Sequence, residues 1–240
     1  SIKGDEITRI NTEHGLMNTY VEDIFEDKEG TIWIATEDGI TKLLSPRFIS
    51  YTPPQGLVGT IVRMILQDRA GRVWCGTYRG LSRFDSDGKV ISFTEQNGLH
   101  HRVVAALAED ADGNIWIGTP RGMNIFDGSS IKQLSIQGID PPFQIGGMLA
   151  DRSGGVWVGT RGKLYHVQNK KAKRISGKQI ESASTLIKPL MVDAEHRIWF
   201  SVGDIGCGFV QNDKITLLKE TEGLPSSDVE FMYQDRSGAI

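Results

Sequence analysis

Apolar residues in this chain fall in short runs separated by glycine- and aspartate-rich breaks. Val21–Phe25, Ile40–Leu44, Phe48–Tyr51, Leu81–Phe84, Val90–Phe93 and Val103–Ala108 are such runs. No stretch between the glycines sustains the i, i+3, i+4, i+7 spacing of an amphipathic helix. Short runs bounded by turn residues predict β-strands.

The breaks recur at a fixed interval. All five tryptophans, Trp33, Trp74, Trp116, Trp157 and Trp199, lie on one comb with gaps of 41, 42, 41 and 42 residues. Six positions before each is an aspartate: Asp27, Asp68, Asp110, Asp151 and Asp193. Gly30, Gly71, Gly113 and Gly154 stand three before the tryptophan, and His196 takes that place in the fifth copy. A β-branched residue precedes every tryptophan. Downstream turns close on Gly39, Gly80 and Gly122, and Gly15-Leu16, Gly56-Leu57, Gly98-Leu99, Gly138-Ile139 and Gly223-Leu224 mark the unit starts.

Each part of the unit has a physical role. Aspartate at the start of a type I turn accepts backbone N–H bonds, and glycine supplies the positive φ that closes the hairpin. The tryptophan buries a large ring between neighbouring units. Four short strands per repeat make a propeller blade, and a twisted sheet with two apolar faces must stack on its neighbours to bury them. The predicted fold is therefore an all-β β-propeller with full four-stranded blades at 15–55, 56–97, 98–137, 138–180 and 181–222. Residues 1–14 are expected to supply the last strand of a preceding blade, and 223–240 the first strand of the next. In support, Asp5 precedes Gly15 as Asp213 precedes Gly223, ten residues apart in each case. The favoured expectation is a segment of a longer, often seven-bladed propeller; the alternative is that the two partial blades meet in a six-bladed closure.

Composition narrows the function. With 27 basic and 30 acidic residues the net charge is −3, which calls for neither nucleic acid nor an anionic membrane. No apolar run approaches the roughly 18 residues of a membrane span, and no signal peptide is visible at Ser1-Ile2-Lys3. Cys75 and Cys207 cannot build a disulfide framework, and Cys75 is expected as a buried thiol. The histidines, His14, His100, His101, His166 and His196, show no zinc spacing. The Asp-Gly turns do not fit a calcium loop. No nucleophile elbow, P-loop or dinucleotide fingerprint is present. No catalytic residue, metal or cofactor is expected.

The stretch Gly98-Leu99 … Asp110-Ala111-Asp112-Gly113-Asn114-Ile115-Trp116-Ile117-Gly118-Thr119-Pro120-Arg121-Gly122 resembles the two-component regulator propeller repeat, and the other blades follow it. Departures occur at Arg161-Gly162-Lys163-Leu164, in the degenerate stretch 170–188, and at Phe200-Ser201-Val202-Gly203-Asp204. The resemblance implies a periplasmic or extracellular sensor segment of a membrane receptor, with a kinase or cyclase output outside this chain and saccharides as ligands.

In a four-stranded blade, the loop into the first strand and the turn between strands two and three share one edge. There the sequence is variable: Asn18, Thr19, Tyr20, Glu37, Asp38, Tyr78, Arg79, His100, His101, Arg102, Pro120, Arg121, Phe143, Gln144 and Arg161. Variable loops on a repeated scaffold are where binding concentrates. Tyr20, Glu37, Tyr78, Arg79, His100, His101, Arg102, Arg121 and Arg161 are the ligand-binding candidates, suited to a polar small molecule or oligosaccharide. The opposite edge, with its Asp-Gly turns, is expected to be uniform. A scaffold docking a second propeller or a second copy of the chain is the alternative partner reading. A lyase or hydrolase is disfavoured, because the first strands carry mainly apolar or small residues such as Met64, Val104, Ala106, Gly147 and Met191.

Overall fold

The computed structural model describes residues 2–3, 6–7, 10–44, 47–139, 144–151, 153–181, 183–203, 205–218, 224, 226–235 and 237–240. It contains five four-stranded antiparallel sheets, each with its strands in chain order. Blade 1 is β3 (Val21–Glu26), β4 (Ile32–Thr36), β5 (Gly39–Leu44) and β6 (Arg47–Tyr51). Blade 2 is β7 (Val62–Gln67), β8 (Val73–Thr77), β9 (Gly80–Phe84) and β10 (Val90–Phe93). Blade 3 is β11 (Ala106–Glu109), β12 (Ile115–Thr119), β13 (Gly122–Phe126) and β14 (Ile131–Leu134). Blade 4 is β15 (Gly147–Ala150), β16 (Val156–Thr160), β17 (Lys163–Gln168) and β18 (Lys171–Ile175). Blade 5 is β19 (Ile187–Val192), β20 (Ile198–Val202), β21 (Gly206–Gln211) and β22 (Lys214–Leu218). Blades 1 and 2 lie in one compact unit, Ser1–Val104, and blades 3 to 5 in another, Ala105–Ile240.

Tryptophan packing explains why the blades stack within each unit. Trp33 pairs across the sheet with Lys42 and lies 5.6 Å from the Phe84 ring of blade 2. Its cluster joins Ala35 and Ile40 to Val73 and Cys75. In the second unit Trp157 and Leu164 of blade 4 pack with Ile198, Phe200 and Val202 of blade 5. One blade's tryptophan face thus meets an apolar face of the next blade. Cys75 and Cys207 are buried free thiols, and burial pushes both thiols up from their ordinary range.

The predicted strands match closely in β5, β6, β9 and β10. Other segments differ from the sequence expectation. A single-turn 3-10 helix precedes three of the Gly-Leu pairs, at Thr12–His14, Pro53–Gln55 and Glu95–Asn97. The degenerate stretch contains β18 and a short helix α1 (Lys178–Glu181). Among the described residues of 1–14, two short segments, β1 (Ile2–Lys3) and β2 (Glu6–Ile7), pair with each other. The described residues of 223–240 carry no assigned strand, yet a sixth copy of the aspartate turn forms there, with Asp235 N donating to Ala239 O at 2.8 Å.

Candidate functional site

The Asp-Gly edge is built by one recurring clip. Each aspartate's Oδ1 accepts the backbone N–H four residues on, as Thr31 N does to Asp27 at 2.7 Å. Its Oδ2 accepts the indole N–H of the tryptophan, at 2.8 Å for Asp27, Asp68 and Asp110, 3.1 Å for Asp151 and 2.7 Å for Asp193. The carboxylate therefore ties turn to core. Burial alone would raise the Asp27 and Asp193 carboxyls, but the indole and backbone donors outweigh it, aided by Lys42 and Arg197 respectively, and hold both below the usual range.

The opposite edge is built by threonine. Thr36, Thr77 and Thr119 end the second strands, and their hydroxyls donate to the carbonyls of Gly39, Gly80 and Gly122 at 2.9, 3.0 and 2.9 Å. These turns present the sequence-predicted residues. In blade 1, Asn18 Nδ2 donates to Asp38 Oδ2 at 2.8 Å, which fastens the loop into β3 to the turn carrying Glu37. Asn18 Oδ1 also accepts the Tyr20 N–H at 2.8 Å, leaving the Tyr20 side chain 71% exposed.

In blade 2, Tyr78 is 41% exposed and lies under the Arg63 guanidinium, 5.4 Å from the ring centre. Arg79 is exposed, and its backbone N–H donates to Thr77 Oγ1 at 3.0 Å. The loop carrying His100, His101 and Arg102 meets this turn, because Val104 N donates to Thr77 O at 2.9 Å. His101 Nδ1 accepts the Val103 N–H at 3.1 Å, and Arg102 is exposed. The first unit thus brings Tyr78, Arg79 and residues 100–102 together on one edge. Arg63, on β7, joins them; the sequence reading passed over it because it sits within a strand.

In the second unit Arg121 is exposed on its turn, with its N–H donating to Thr119 Oγ1 at 3.2 Å. Arg161 has a different role. Its Nη1 donates to Ser184 O and its Nη2 to Gln144 Oε1 at 3.4 Å, while its backbone bridges to Leu186. Its guanidinium is engaged in fastening blade 4 to the loop entering blade 5. Phe143 lies outside the described residues.

Asp23 was also missed. It lies on β3, and its Oδ2 accepts the Ile65 N–H of β7 at 2.8 Å, joining the first strands of blades 1 and 2. Burial raises its carboxyl above the usual range, against the backbone donors Ile65 and Ile24. Its charge also raises the Cys75 thiol, second to burial. Among the described residues no cluster of three metal-ligating side chains occurs, and no helix is long and apolar enough to cross a membrane.

The fold is a β-propeller. The two component regulator propeller family matches residues 15–38, 56–79 and 98–121, one segment in each of blades 1 to 3. Among solved structures, the extracellular domain of the B. thetaiotaomicron protein BT3049, described as a hybrid two component system, is 19% identical with a TM-score of 0.64, over 96% of this chain and 39% of that one. The corresponding domain of BT4673 from the same organism is 18% identical with a TM-score of 0.67, over 93% of this chain and 37% of that one. Virginiamycin B lyase from Staphylococcus aureus is 15% identical with a TM-score of 0.66, over 84% of this chain and 70% of that one. The chain thus spans under two fifths of the length of either extracellular domain. No curated protein sequence matches it significantly.

Proposed function

We propose that the chain is a ligand-recognising propeller segment of an extracytoplasmic signal receptor, and that it binds a saccharide or similar polar molecule at the threonine-turn edge. The observation that carries this reading is the contrast between scaffold and edge in the first unit. Identical Thr–Gly turns hold up unlike side chains: Tyr20 and Glu37 on one blade, Tyr78 with Arg63 and Arg79 on the next. Exposed tyrosine rings offer faces for sugar C–H groups, and arginine and amide groups offer hydrogen bonds to hydroxyls. The family and the extracellular domains that share the fold support a receptor role outside the cytoplasm. They also support binding without turnover, although a lyase shares the fold. A screen of mono- and oligosaccharides by thermal shift, followed by calorimetry, tests it. A hit should weaken about tenfold in Tyr78→Ala, as loss of one aromatic contact predicts; affinity unchanged in both Tyr78→Ala and Tyr20→Ala would overturn the assignment of this edge.

A second reading, docking of another propeller or a second copy, is favoured by exposed apolar side chains on blade 1, with Ile24 59% and Ile49 41% exposed. It predicts a molecular mass by light scattering that rises with concentration. A constant monomer mass, together with a saccharide hit, would select the first reading.

A further inference from the structure

The Asp-Gly edge is not uniform. In blade 5 the clip aspartate is covered by an arginine of its own turn. Arg197 Nε donates to Asp193 Oδ2, Nη2 donates to Glu195 Oε2 at 2.9 Å, and the guanidinium lies 5.4 Å from the Trp199 ring and 5.0 Å from Phe209. Blade 2 repeats this with Arg72, whose Nε donates to Asp68 Oδ2 at 2.6 Å and whose guanidinium lies 5.6 Å from Trp74. Each such slot is a carboxylate beside an aromatic face, filled by a planar cation from the fourth residue after the aspartate.

Blade 4 has the slot without the arginine. The fourth residue after Asp151 is Gly155. His166 comes across from β17 instead: its Nε2 lies 2.7 Å from Asp151 Oδ2, and its ring stacks on Trp157 at 4.7 Å and 25°. The two choices exclude each other, since a Cβ on Gly155 would sit 2.1 Å from His166 Nε2. Beside this pair a cavity of about 290 Å³ opens between blades 4 and 5. Trp157, His166, Ile198 and Val210 give it rings and an aliphatic wall, and Asp151 and Asp213 give it two carboxylates.

We propose that this cavity binds the guanidinium-bearing side chain of arginine or a close analogue, supplied by a ligand where blades 2 and 5 supply their own. Arginine has an apolar stem and a flat, permanently charged head. The stem fits the Ile198–Val210 wall, and the head fits the Trp157 and His166 rings beside the Asp213 carboxylate. Asp151 is fully engaged by Ser153, Gly155, Trp157 and His166. Asp213 is the available anion. Its described partner is Lys173, at 2.6 Å, and that pair is 62% and 59% exposed, so it is weak and exchanges readily for a bidentate guanidinium. An anionic ligand is opposed by both carboxylates, and a neutral ring leaves Asp213 unused. This inference is independent of the saccharide edge, because the cavity lies at the opposite end of the blades.

The test is a titration of the 240-residue chain, ¹⁵N-labelled, with Nα-acetyl-arginine methylamide, its citrulline counterpart and free arginine. Saturable shifts of the Trp157 indole and of the Gln211, Asn212 and Asp213 amides are expected with the arginine probe. The citrulline probe, of equal length but uncharged, should bind about tenfold or more weakly. The double variant Gly155→Arg/His166→Phe, which copies the Arg197–Phe209 pair, should abolish the shifts while keeping a folded spectrum. Asp213→Asn, at an exposed position, should weaken binding several-fold and serves if the double variant fails to fold. Tighter binding of the blocked probe than of free arginine identifies a peptide side chain as the source, and the reverse identifies a small molecule; either supports the site. Equal binding of citrulline, undiminished binding in Asp213→Asn, or no shift at Trp157 overturns it.

Discussion

Replacing Trp116 by alanine removes a buried ring and the hydrogen bond that anchors a turn. The ring is 5% exposed, and its N–H donates to Asp110 Oδ2 at 2.8 Å. The expected loss is about 3–5 kcal/mol in chemical unfolding, the usual cost of deleting a core aromatic. Trp116→Phe keeps a ring but removes the donor. It should cost about 1.5–3 kcal/mol, the range for a hydrogen bond to a charged group; Asn114 Nδ2, at 3.0 Å from the same oxygen, softens the loss. A Trp116→Ala loss below about 1 kcal/mol would contradict the buried packing of the ring. Asp23 is the opposite kind of aspartate. Its folded carboxyl is raised, chiefly by burial. Its contribution to stability is therefore complete below the unfolded value near 3.9 and is lost as pH rises through the folded value. Asp23→Asn retains an oxygen to accept the Ile65 N–H but carries no charge. The variant should match the parent below about pH 4 and be more stable at neutral pH. A neutral-pH unfolding midpoint below the parent's would show that the charge is needed where it sits.

At the scale of the element, glycine positions with positive φ differ in what surrounds them. Gly80 has φ +143°, and a Cβ there would lie 2.3 Å from Phe93 O, a backbone atom that cannot swing away. Gly88 has φ +84° and open space around it. Gly88→Ala should cost about 1–2 kcal/mol for the left-handed backbone alone, and Gly80→Ala clearly more, as the third strand is pushed off the fourth. Equal costs would mean that the third-to-fourth strand contact yields easily. Such glycines, with the Asp and Trp comb, made the strands legible. A 42-residue period constrains every hairpin, and the threonine turns fall where Gly-Thr predicts. The 3-10 turns left no trace in hydrophobic periodicity because one turn is too short to show it, although Thr94 and Asn97 already hold the capping residues. On the first unit, Tyr78, Arg79 and the loop 100–102 share one edge. Arg161 stands on its turn as well, but its guanidinium is taken up by Ser184 O and Gln144 Oε1, partners that the spacing of the repeat does not reveal. Asp23 was hidden among the apolar residues of the first strands, and the blade 4 cavity depends on a missing side chain. Its signal was nevertheless present: Gly155 stands where the other turns carry Thr31, Arg72, Asn114 and Arg197.

For the whole molecule, these carboxylates set opposing responses to acid. Asp27 in the first unit, and Asp151 and Asp193 in the second, are held below the ordinary range. At Asp151 burial acts upward, and the Ser153 hydroxyl, the Gly155 N–H and the His166 charge outweigh it. A lowered folded value gives stability that is present above the unfolded value near 3.9 and is lost as pH falls through the folded one. Asp23 acts with the reverse sign. Three clips against one buried acid predict that the chain weakens as pH drops below about 4, with Asp23 blunting the fall by taking up a proton in the folded state at higher pH. Because Asp23→Asn removes only the raised acid, its stability should drop more steeply than the parent's between neutral pH and about 4, and the two should fall together below that. Replacing a clip acid has the reverse effect. Asp193→Asn can keep the indole bond through its oxygen but loses the charge facing Arg197. Its deficit should be present at neutral pH and shrink in acid, where the parent's carboxylate is itself protonated. Urea unfolding followed by tryptophan fluorescence at a series of pH values separates the two; a deficit for Asp193→Asn that grows in acid would show that the clip holds by the shape of the side chain rather than by its charge.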